Sequence, residues 1–305
     1  EDYGWSSGTY CQKVYQGYTT KIEKDVVIST WQSVYKMPKK YFEQFGCVIG
    51  DEAHMFKAKS LTGIMTKLHQ CKYRFGLTGT LDGTQTHQLV LEGLFGTAEK
   101  IVSTKELIDK KTLANLKIKC ITLKHPEKRE RMTYAEELDY LVSKESRNKF
   151  ILDLCNTISG NTLCLFQLVE KHGKILYDGM KEKENVYFVY GGTDTDQREK
   201  IRGLVEGHDN STTIASYGTF STGINIRNIH NIVLASPSKS KIRVLQSIGR
   251  GLRTSSTKDS ILIFDIADDI SYKDRRNFTL NHFFERLNIY NEQQFNYEIS
   301  KVRIK

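Results

Sequence analysis

Residues 45–54 read Phe-Gly-Cys-Val-Ile-Gly-Asp-Glu-Ala-His, and this stretch decides the fold. Its apolar run predicts a short buried strand that ends in the paired carboxylates of Asp51 and Glu52. Nucleoside-triphosphate motors use such a pair to hold Mg²⁺ and to orient the attacking water. We therefore predict that Asp51 binds Mg²⁺, directly or through a water, and that Glu52 polarises the attacking water. The alternative is an ordinary strand followed by an N-capping Asp and an acidic helix start.

The acidic stretch lacks the phosphate loop that such motors place ahead of it. The pattern Gly-x-x-x-x-Gly-Lys-Ser/Thr occurs nowhere in the 305 residues, and the chain begins at Glu1. We therefore expect a motor whose front part is missing from this sequence. His54 is predicted to face away from the carboxylates and to sense the second domain, and we include it among the nucleotide-binding candidates.

The composition restricts the class of partner. The formal net charge is +9, from 45 Lys and Arg against 36 Asp and Glu, which favours nucleic acid over a membrane surface. No apolar run is long enough to cross a bilayer. The six cysteines include no Cys-x-x-Cys pair and no zinc spacing, which favours a reducing compartment. We therefore expect a cytoplasmic protein without a membrane partner.

Short apolar runs alternate along the chain with segments of helical length and periodicity. This alternation predicts an α/β fold with parallel sheets and helices on both faces. The predicted strands are residues 26–29, 47–50, 73–77, 118–123, 162–166, 186–190, 213–216, 231–235 and 260–265. His125-Pro126 and the charged run after it mark a boundary. We therefore predict a partial first domain, a linker with a leading helix, and a complete second domain, over residues 1–124, 125–148 and 149–305.

Hydroxyl and amide side chains follow two strands of the first half. Thr30 and Gln32 come at the end of the first predicted strand, where short polar side chains suit contact with a phosphate. An equally weighted alternative is a Thr N-cap with Trp31 packed in the core. Thr78 and Thr80 follow a later strand, and their hydroxyls are predicted to bond the acidic cluster and to transmit its state.

The second half carries the other candidate residues. A hydroxyl-rich segment over residues 215–225 suits contact with a nucleic-acid backbone on one side and a nucleotide on the other. Further along, the spacing of Gln246, Arg250 and Arg253 predicts one shared helix face. Gly249 leaves room for a ligand there, and two guanidiniums suit a γ-phosphate whose charge grows in the transition state. The alternative is a solvated basic helix face.

In this order and spacing, the motifs resemble those of the superfamily-two helicases. Asp51 to His54 resemble motif II, residues 77–80 motif III, residues 216–225 motif V, and Gln246 to Arg253 motif VI. The resemblance is closer still to the UvsW-type phage DNA helicases and extends through nearly the whole chain. Phe75-Gly-Leu-Thr-Gly-Thr80 is one of the stretches that carry it. This chain departs from many relatives at Gly50, where they have an aliphatic residue.

The resemblance implies two RecA-like domains with parallel sheets, the first incomplete, and ATP with Mg²⁺ as cofactors. It also implies that the phosphate-loop lysine lies ahead of residue 1, so that this chain by itself hydrolyses ATP poorly. It implies that Arg250 and Arg253 act as arginine fingers, with support from Gln246. Nucleotide contacts are implied at Gly223 and Asn225. Contacts to DNA are implied at Thr30, Gln32, Ser216, Tyr217 and Thr222.

The implied activity is ATP-dependent remodelling of branched DNA, namely Holliday junctions, stalled forks and R-loops, in phage recombination, repair and replication. The implied partners are branched or forked DNA, tracked along a single strand, and phage single-strand-binding or recombination proteins. The implied state is a monomer in the host-cell cytoplasm. Two other functions stay open: a non-catalytic DNA-binding module derived from a helicase, and the translocase subunit of a restriction system.

Overall fold

A computed structural model gives the fold. It describes residues 4, 6–15, 17–79, 81, 85–126, 132–223, 226–237, 240–252, 258–273 and 275–305. At helix residues 221–223 and 241–243 it gives the backbone alone. The chain forms two compact units, Glu1–Lys100 and Ile101–Lys305.

Strands and helices alternate through most of the described chain. The strands are β1 Cys11–Val14, β2 Val26–Ser29, β3 Cys47–Gly50, β4 Tyr73–Gly76, β5 Asn115–Lys124, β6 Thr162–Phe166, β7 Val186–Val189, β8 Thr212–Ser216, β9 Asn231–Leu234, β10 Ser260–Asp269 and β11 Tyr297–Arg303. The α-helices are α1 Ser7–Tyr10, α2 Trp31–Val34, α3 Lys39–Phe42, α4 Lys59–Lys67, α5 Gln85–Phe95, α6 Thr104–Asp109, α7 Tyr134–Ser143, α8 Glu145–Thr157, α9 Lys174–Asp178, α10 Thr195–Gly207, α11 Tyr217–Gly223, α12 Lys241–Gly251 and α13 Phe278–Glu292. A 3-10 turn spans Ala53–Lys57, and a π-helical turn spans Val169–Gly173.

The first unit contains two small parallel sheets, in which β1 pairs with β2 and β3 pairs with β4. Gly50 and Gly76 are opposite each other in the second sheet. A Cβ atom on Gly50 would lie 2.8 Å from the ring of Phe56 and 3.0 Å from that of Phe95, and one on Gly76 would lie 2.9 Å from Phe95. The two rings thus occupy the space that an aliphatic side chain at residue 50 would need, which accounts for the departure at Gly50.

The second unit contains a seven-stranded sheet in the order β11-β5-β10-β9-β6-β8-β7, with every neighbouring pair parallel. Alternate residues of each central strand pack on opposite faces: Leu163 and Leu165 of β6 join one core, and Cys164 and Phe166 join the other. Residues of α10 to α13 complete the first core, and residues of α8 and α9 complete the second. Burial on both faces explains why these strands are consecutive apolar runs.

The predicted parallel sheets with flanking helices are confirmed. The division of the chain differs from the prediction, because β5 pairs with β10 and β11 and so belongs to the second unit. The segment over residues 125–148, predicted to be a linker with a leading helix, also lies in the second unit, and the predicted helix is α7. Its helix α7 buries Leu138 and Leu141. Residues 101–148 are therefore part of the larger unit rather than a connection ahead of it.

Candidate active site

The carboxylate pair lies in the turn that follows β3. Asp51 is exposed, and its Oδ1 accepts a 2.9 Å hydrogen bond from the backbone N–H of Glu52. Glu52 has φ 50° and ψ 50°, a left-handed conformation that is unfavourable for a non-glycine residue and is found at functional sites. The N–H of Ala53 donates to the carbonyl of Leu77 at 2.8 Å. These contacts fix the direction in which both carboxylates leave the sheet.

His54 connects the carboxylate turn to the segment that follows β4. Its side chain is buried, and its Nδ1 lies 3.0 Å from Oγ1 of Thr78 and 3.2 Å from Oε2 of Glu52. The sequence analysis placed His54 away from the carboxylates. The structure corrects this, because the chain enters a 3-10 turn at residue 53 and the imidazole returns toward Glu52. Thr78 thus reaches the acidic cluster through His54, whereas Thr80 lies outside the described residues.

The polar residues after β2 are on the surface. Thr30 and Gln32 are both exposed. Thr30 is the N-cap residue of α2, but its side chain makes no capping hydrogen bond, and its Oγ1 lies 2.9 Å from Oγ of Ser33. Trp31 is 38% exposed and packs edge-on against Tyr35. Thr30 is thus the N-cap residue, as the alternative predicted, but Trp31 is on the surface rather than in the core, and both polar side chains are exposed.

The segment predicted to contact DNA in the second unit begins with side chains that point inward. The hydroxyls of Ser216 and Thr219 lie 2.7 Å apart, and the N–H of Thr219 donates to Ser216 Oγ at 3.3 Å. Tyr217 is 4% exposed, and its hydroxyl donates to the carbonyl of Ser236 at 3.0 Å. The hydroxyls of this segment were predicted to contact a nucleic-acid backbone and a nucleotide. The structure corrects this for the first residues of the segment. The strand β8 continues directly into α11, and the first turn of α11 packs against the core.

Two further candidates from the same segment lie in α11, and one lies beyond it. Thr222 and Gly223 are the last two residues of that helix. Asn225 lies outside the described residues. The predictions for these three residues therefore stay predictions.

The guanidinium candidate lies at the end of α12. The apolar side of the helix buries Val244, Ile248 and Leu252 to 1% exposure or less. Gln246, Gly249 and Arg250 are not buried. Among the described residues, a Cβ atom on Gly249 would meet no atom within 4 Å, and its role beside a ligand stays a prediction. The guanidinium carbon of Arg250 lies 5.7 Å from the ring centroid of Phe220, and Arg253 lies outside the described residues.

A buried polar network at the carboxyl ends of the central strands was missed by the sequence analysis. Arg147 is fully buried and donates to Oδ1 of Asp268 at 2.8 Å and to the carbonyl of Ala235 at 2.7 Å. His125 Nε2 lies 2.9 Å from the same oxygen of Asp268. Arg147 and Asp268 are 121 residues apart, so their pairing leaves no local signal in the sequence.

The network continues from Arg147 to α11. Nδ1 of His172 lies 2.8 Å from Oγ of Ser236, the residue whose carbonyl accepts from Tyr217. Burial, together with the Arg147 guanidinium, lowers the pKa of His172 to about 3, so the ring is neutral near pH 7. Burial alone would raise the pKa of Asp268, but Arg147 and a histidine hydrogen bond hold it at about 2. An ionised pair and a neutral ring therefore anchor the first turn of α11.

The described residues contain no cluster of three or more His, Cys, Asp or Glu suited to hold a metal ion. Mg²⁺ that is bound together with a nucleotide usually takes one or two carboxylates plus water and phosphate oxygens, and the exposed carboxylate of Asp51 fits that kind of site. In the same residues, no helix is both long enough and apolar enough to span a bilayer.

Parallel α/β units, a carboxylate pair after a strand and a guanidinium-bearing helix are the features expected of a superfamily-two helicase core, and the chain is similar to proteins of that class. Residues 4–83 match the family model of the type III restriction enzyme res subunit, and residues 133–255 match the helicase conserved C-terminal domain. The chain is 35% identical, over 93% of its length, to the ATP-dependent DNA helicase uvsW of Enterobacteria phage T4. It spans 60% of that relative.

Solved structures agree with this assignment. The crystal structure of T4 UvsW matches with a TM-score of 0.56 and 34% identity, over 98% of this chain and 63% of that chain. A fragment assigned to the HsdR subunit of a type I restriction enzyme from Vibrio vulnificus YJ016 matches with a TM-score of 0.72 and 16% identity, over 96% of this chain and 55% of that one. The second likeness shows the fold alone.

Proposed function

We propose that this chain is the larger part of an ATP-driven DNA helicase of the UvsW type. Its substrates are branched DNAs, namely Holliday junctions, stalled forks and R-loops, and its setting is phage recombination, repair and replication in the host-cell cytoplasm. The observation that carries the proposal is the 35% identity to a DNA helicase over 93% of the chain. Because the chain spans 60% of that relative, activity, substrate and partners are proposed for the full-length gene product.

The chemistry follows from the carboxylate turn. Glu52 accepts a proton from the attacking water, and its Oε2 lies 3.2 Å from Nδ1 of His54. Asp51 is an exposed carboxylate, so it fits Mg²⁺ that is otherwise ligated by water and phosphate. The bound ion supplies charge neutralisation on the phosphates. Arg250 and Arg253 stabilise the negative charge that grows on the transferred phosphoryl group, and Gln246 supports them.

The His54 contact supports a route from hydrolysis to movement. Any change in the position of Glu52 alters the geometry of its contact with His54, and His54 is bonded in turn to Thr78. Thr78 lies two positions after Gly76, the last residue of β4. A shift of Thr78 would therefore move the segment that leaves β4. We therefore propose that Thr78 transmits the state of the acidic cluster.

DNA binding is supported by charge and exposure. The net charge of +9 attracts a polyanion, and the exposed Thr30 and Gln32 offer hydrogen bonds to phosphate oxygens. The side chains of Ser216 and Tyr217 point inward, so the first turn of α11 would contact DNA through its backbone groups. Affinity should therefore depend steeply on salt and weakly on base sequence.

The test uses the full-length gene product on a Holliday junction, a forked duplex and a linear duplex of equal length. We expect ATP-dependent remodelling of the branched DNAs and loss of it in Glu52→Gln. Glu43→Gln, an exposed carboxylate change in the same unit, is the matched control and should keep full activity. Tight DNA binding without ATP hydrolysis would support a non-catalytic binding module instead. Hydrolysis with movement along linear duplex but no strand separation would support a restriction-type translocase.

A further inference from the structure

Arg250 faces an aromatic ring that no motif predicted. Its guanidinium carbon lies 5.7 Å from the ring centroid of Phe220, within the range at which a cation is attracted to the face of an aromatic ring. Phe220 belongs to α11 and Arg250 to α12, so this contact joins two helices of the second unit. The ring therefore favours some orientations of the guanidinium over others.

Phe220 is well fixed. It is 1% exposed and belongs to the core on the α10–α13 side of the sheet. The turn that leads to it is held by the hydroxyl pair of Ser216 and Thr219 and by the hydrogen bond from Tyr217 to Ser236. Because these contacts fix the turn, the ring of Phe220 has little freedom to move with the Arg250 side chain.

The end of α12 that carries Arg250 is also held. A Cβ atom on Gly251 would lie 2.2 Å from Ile261 and 2.7 Å from Ile232, so this glycine lets the helix pack directly on the sheet. The ammonium group of Lys258 donates to the Gly251 carbonyl. The backbone at Arg250 is thus anchored on the next residue, so the direction of the guanidinium is set by the side-chain torsions and by what the side chain contacts.

We propose that Phe220 is a positioning residue for the reaction, which acts by orienting the Arg250 guanidinium toward the γ-phosphate. This inference rests on the proposed function, since it needs Arg250 to act in phosphoryl transfer. An arginine that acts on the transition state lowers kcat when it is misdirected, with little change in KM for ATP. Loss of the aromatic face should therefore reduce turnover while leaving ATP binding intact.

The test compares Phe220→Leu with Phe283→Leu in the full-length gene product. Phe283 is a matched control, because it is 2% exposed and belongs to the same core. Its ring centroid lies 5.5 Å from the guanidinium carbon of Arg286, and Arg286 belongs to no predicted site. We expect Phe220→Leu to lower kcat about tenfold, because that is the change in rate that corresponds to the loss of a typical cation–π contact. The KM for ATP should stay within about twofold of the wild-type value. Phe283→Leu should keep a kcat near that of the wild type. Phe220→Met provides the same test if the leucine variant does not fold.

A second readout separates this inference from the function on which it rests. Binding of ADP with aluminium fluoride, a transition-state mimic, should weaken about tenfold in Phe220→Leu, whereas binding of ADP alone should not change. In an Arg250→Ala background, Phe220→Leu should have no further effect on kcat. Equal losses in the two phenylalanine variants, or a full additional loss in the Arg250→Ala background, would overturn the positioning role. Wild-type turnover in Arg250→Ala would instead overturn the proposed role of Arg250 itself.

Discussion

Replacing Glu137 by glutamine tests how the last long helix of the second unit is held. Glu137 is 2% exposed on α7. Its Oε2 accepts from the N–H of Phe278 at 2.8 Å, and its Oε1 accepts from the N–H of Thr279 at 2.6 Å. Asn277, the N-cap residue of α13, makes no side-chain cap bond of its own and donates to Glu137 Oε1 at 2.9 Å. A carboxylate from another helix thus caps the N-terminus of α13.

The magnitude follows from the bonds that glutamine cannot make. Glutamine keeps the shape of Glu137, but it places an NH₂ donor where one carboxylate oxygen accepted, so a buried N–H of α13 is left unpaired. Loss of a hydrogen bond to a charged group costs about 1.5–3 kcal/mol. Loss of the negative charge at a helix N-terminus adds about 0.3–1 kcal/mol. We therefore expect the free energy of unfolding of the second unit to fall by about 2–4 kcal/mol.

Urea unfolding followed by circular dichroism measures this change, and hydrogen exchange of residues 278–292 locates it. Glu182→Gln, an exposed carboxylate change in the same unit, is the control and should alter the free energy of unfolding by less than about 0.5 kcal/mol. An effect of Glu137→Gln as small as that of the control, with unchanged protection in α13, would refute the capping argument.

Three further outcomes follow from the described contacts. Tyr217→Phe should lower the free energy of unfolding by about 1 kcal/mol and leave DNA affinity unchanged, because the hydroxyl bonds the Ser236 carbonyl; weaker DNA binding at equal stability would contradict this. The pKa of His172 is about 3 in the folded protein and 6.5 as the ordinary value. As the pH falls below about 6.5, the imidazole is protonated in the unfolded chain but not in the folded one, so the folded state loses stability. Between pH 6 and 4, wild type should therefore lose about 1.4 kcal/mol more per pH unit than His172→Gln, and equal slopes in urea titrations would contradict this. Gly50→Ala should lower the free energy of unfolding of the first unit by about 1–3 kcal/mol, because its Cβ would meet two aromatic rings, and the added change Phe95→Leu should recover part of that loss; no recovery in urea unfolding would contradict this.

The strands of the fold could be predicted where the local sequence decides the structure. Residues 26–29, 47–50 and 162–166 are strands with the predicted bounds. The predicted burial of the strand before Asp51 is wrong, because Cys47 and Ile49 of β3 are exposed in a sheet of only two strands. The assignment of β5 could not be predicted in the same way. Asn115, the first residue of β5, pairs with Ser260 of β10, which lies 145 positions later in the chain. The sheet to which β5 belongs is therefore decided by a non-local contact.

The candidate site was predicted in outline and corrected in detail. The order of the motifs located the carboxylate turn and the guanidinium helix, since each follows a recognisable element. The direction of Tyr217 was not predictable, because the strand β8 changes directly into the helix α11 at this residue, and its side chain is buried there. The contact between His54 and Thr78 depends on a 3-10 turn and on the approach of two strand ends, and the sequence specifies neither locally.

The most direct test of the account is single-turnover ATP hydrolysis by the full-length gene product with Glu52→Gln, Arg250→Ala and both changes together. If both residues act on the same phosphoryl transfer, each single change should reduce the rate by on the order of 10³ or more, and the double change should cost little beyond either one. ATP binding should persist in all three proteins. Hydrolysis near the wild-type rate in Arg250→Ala would contradict the claim that carboxylate and guanidinium serve one reaction.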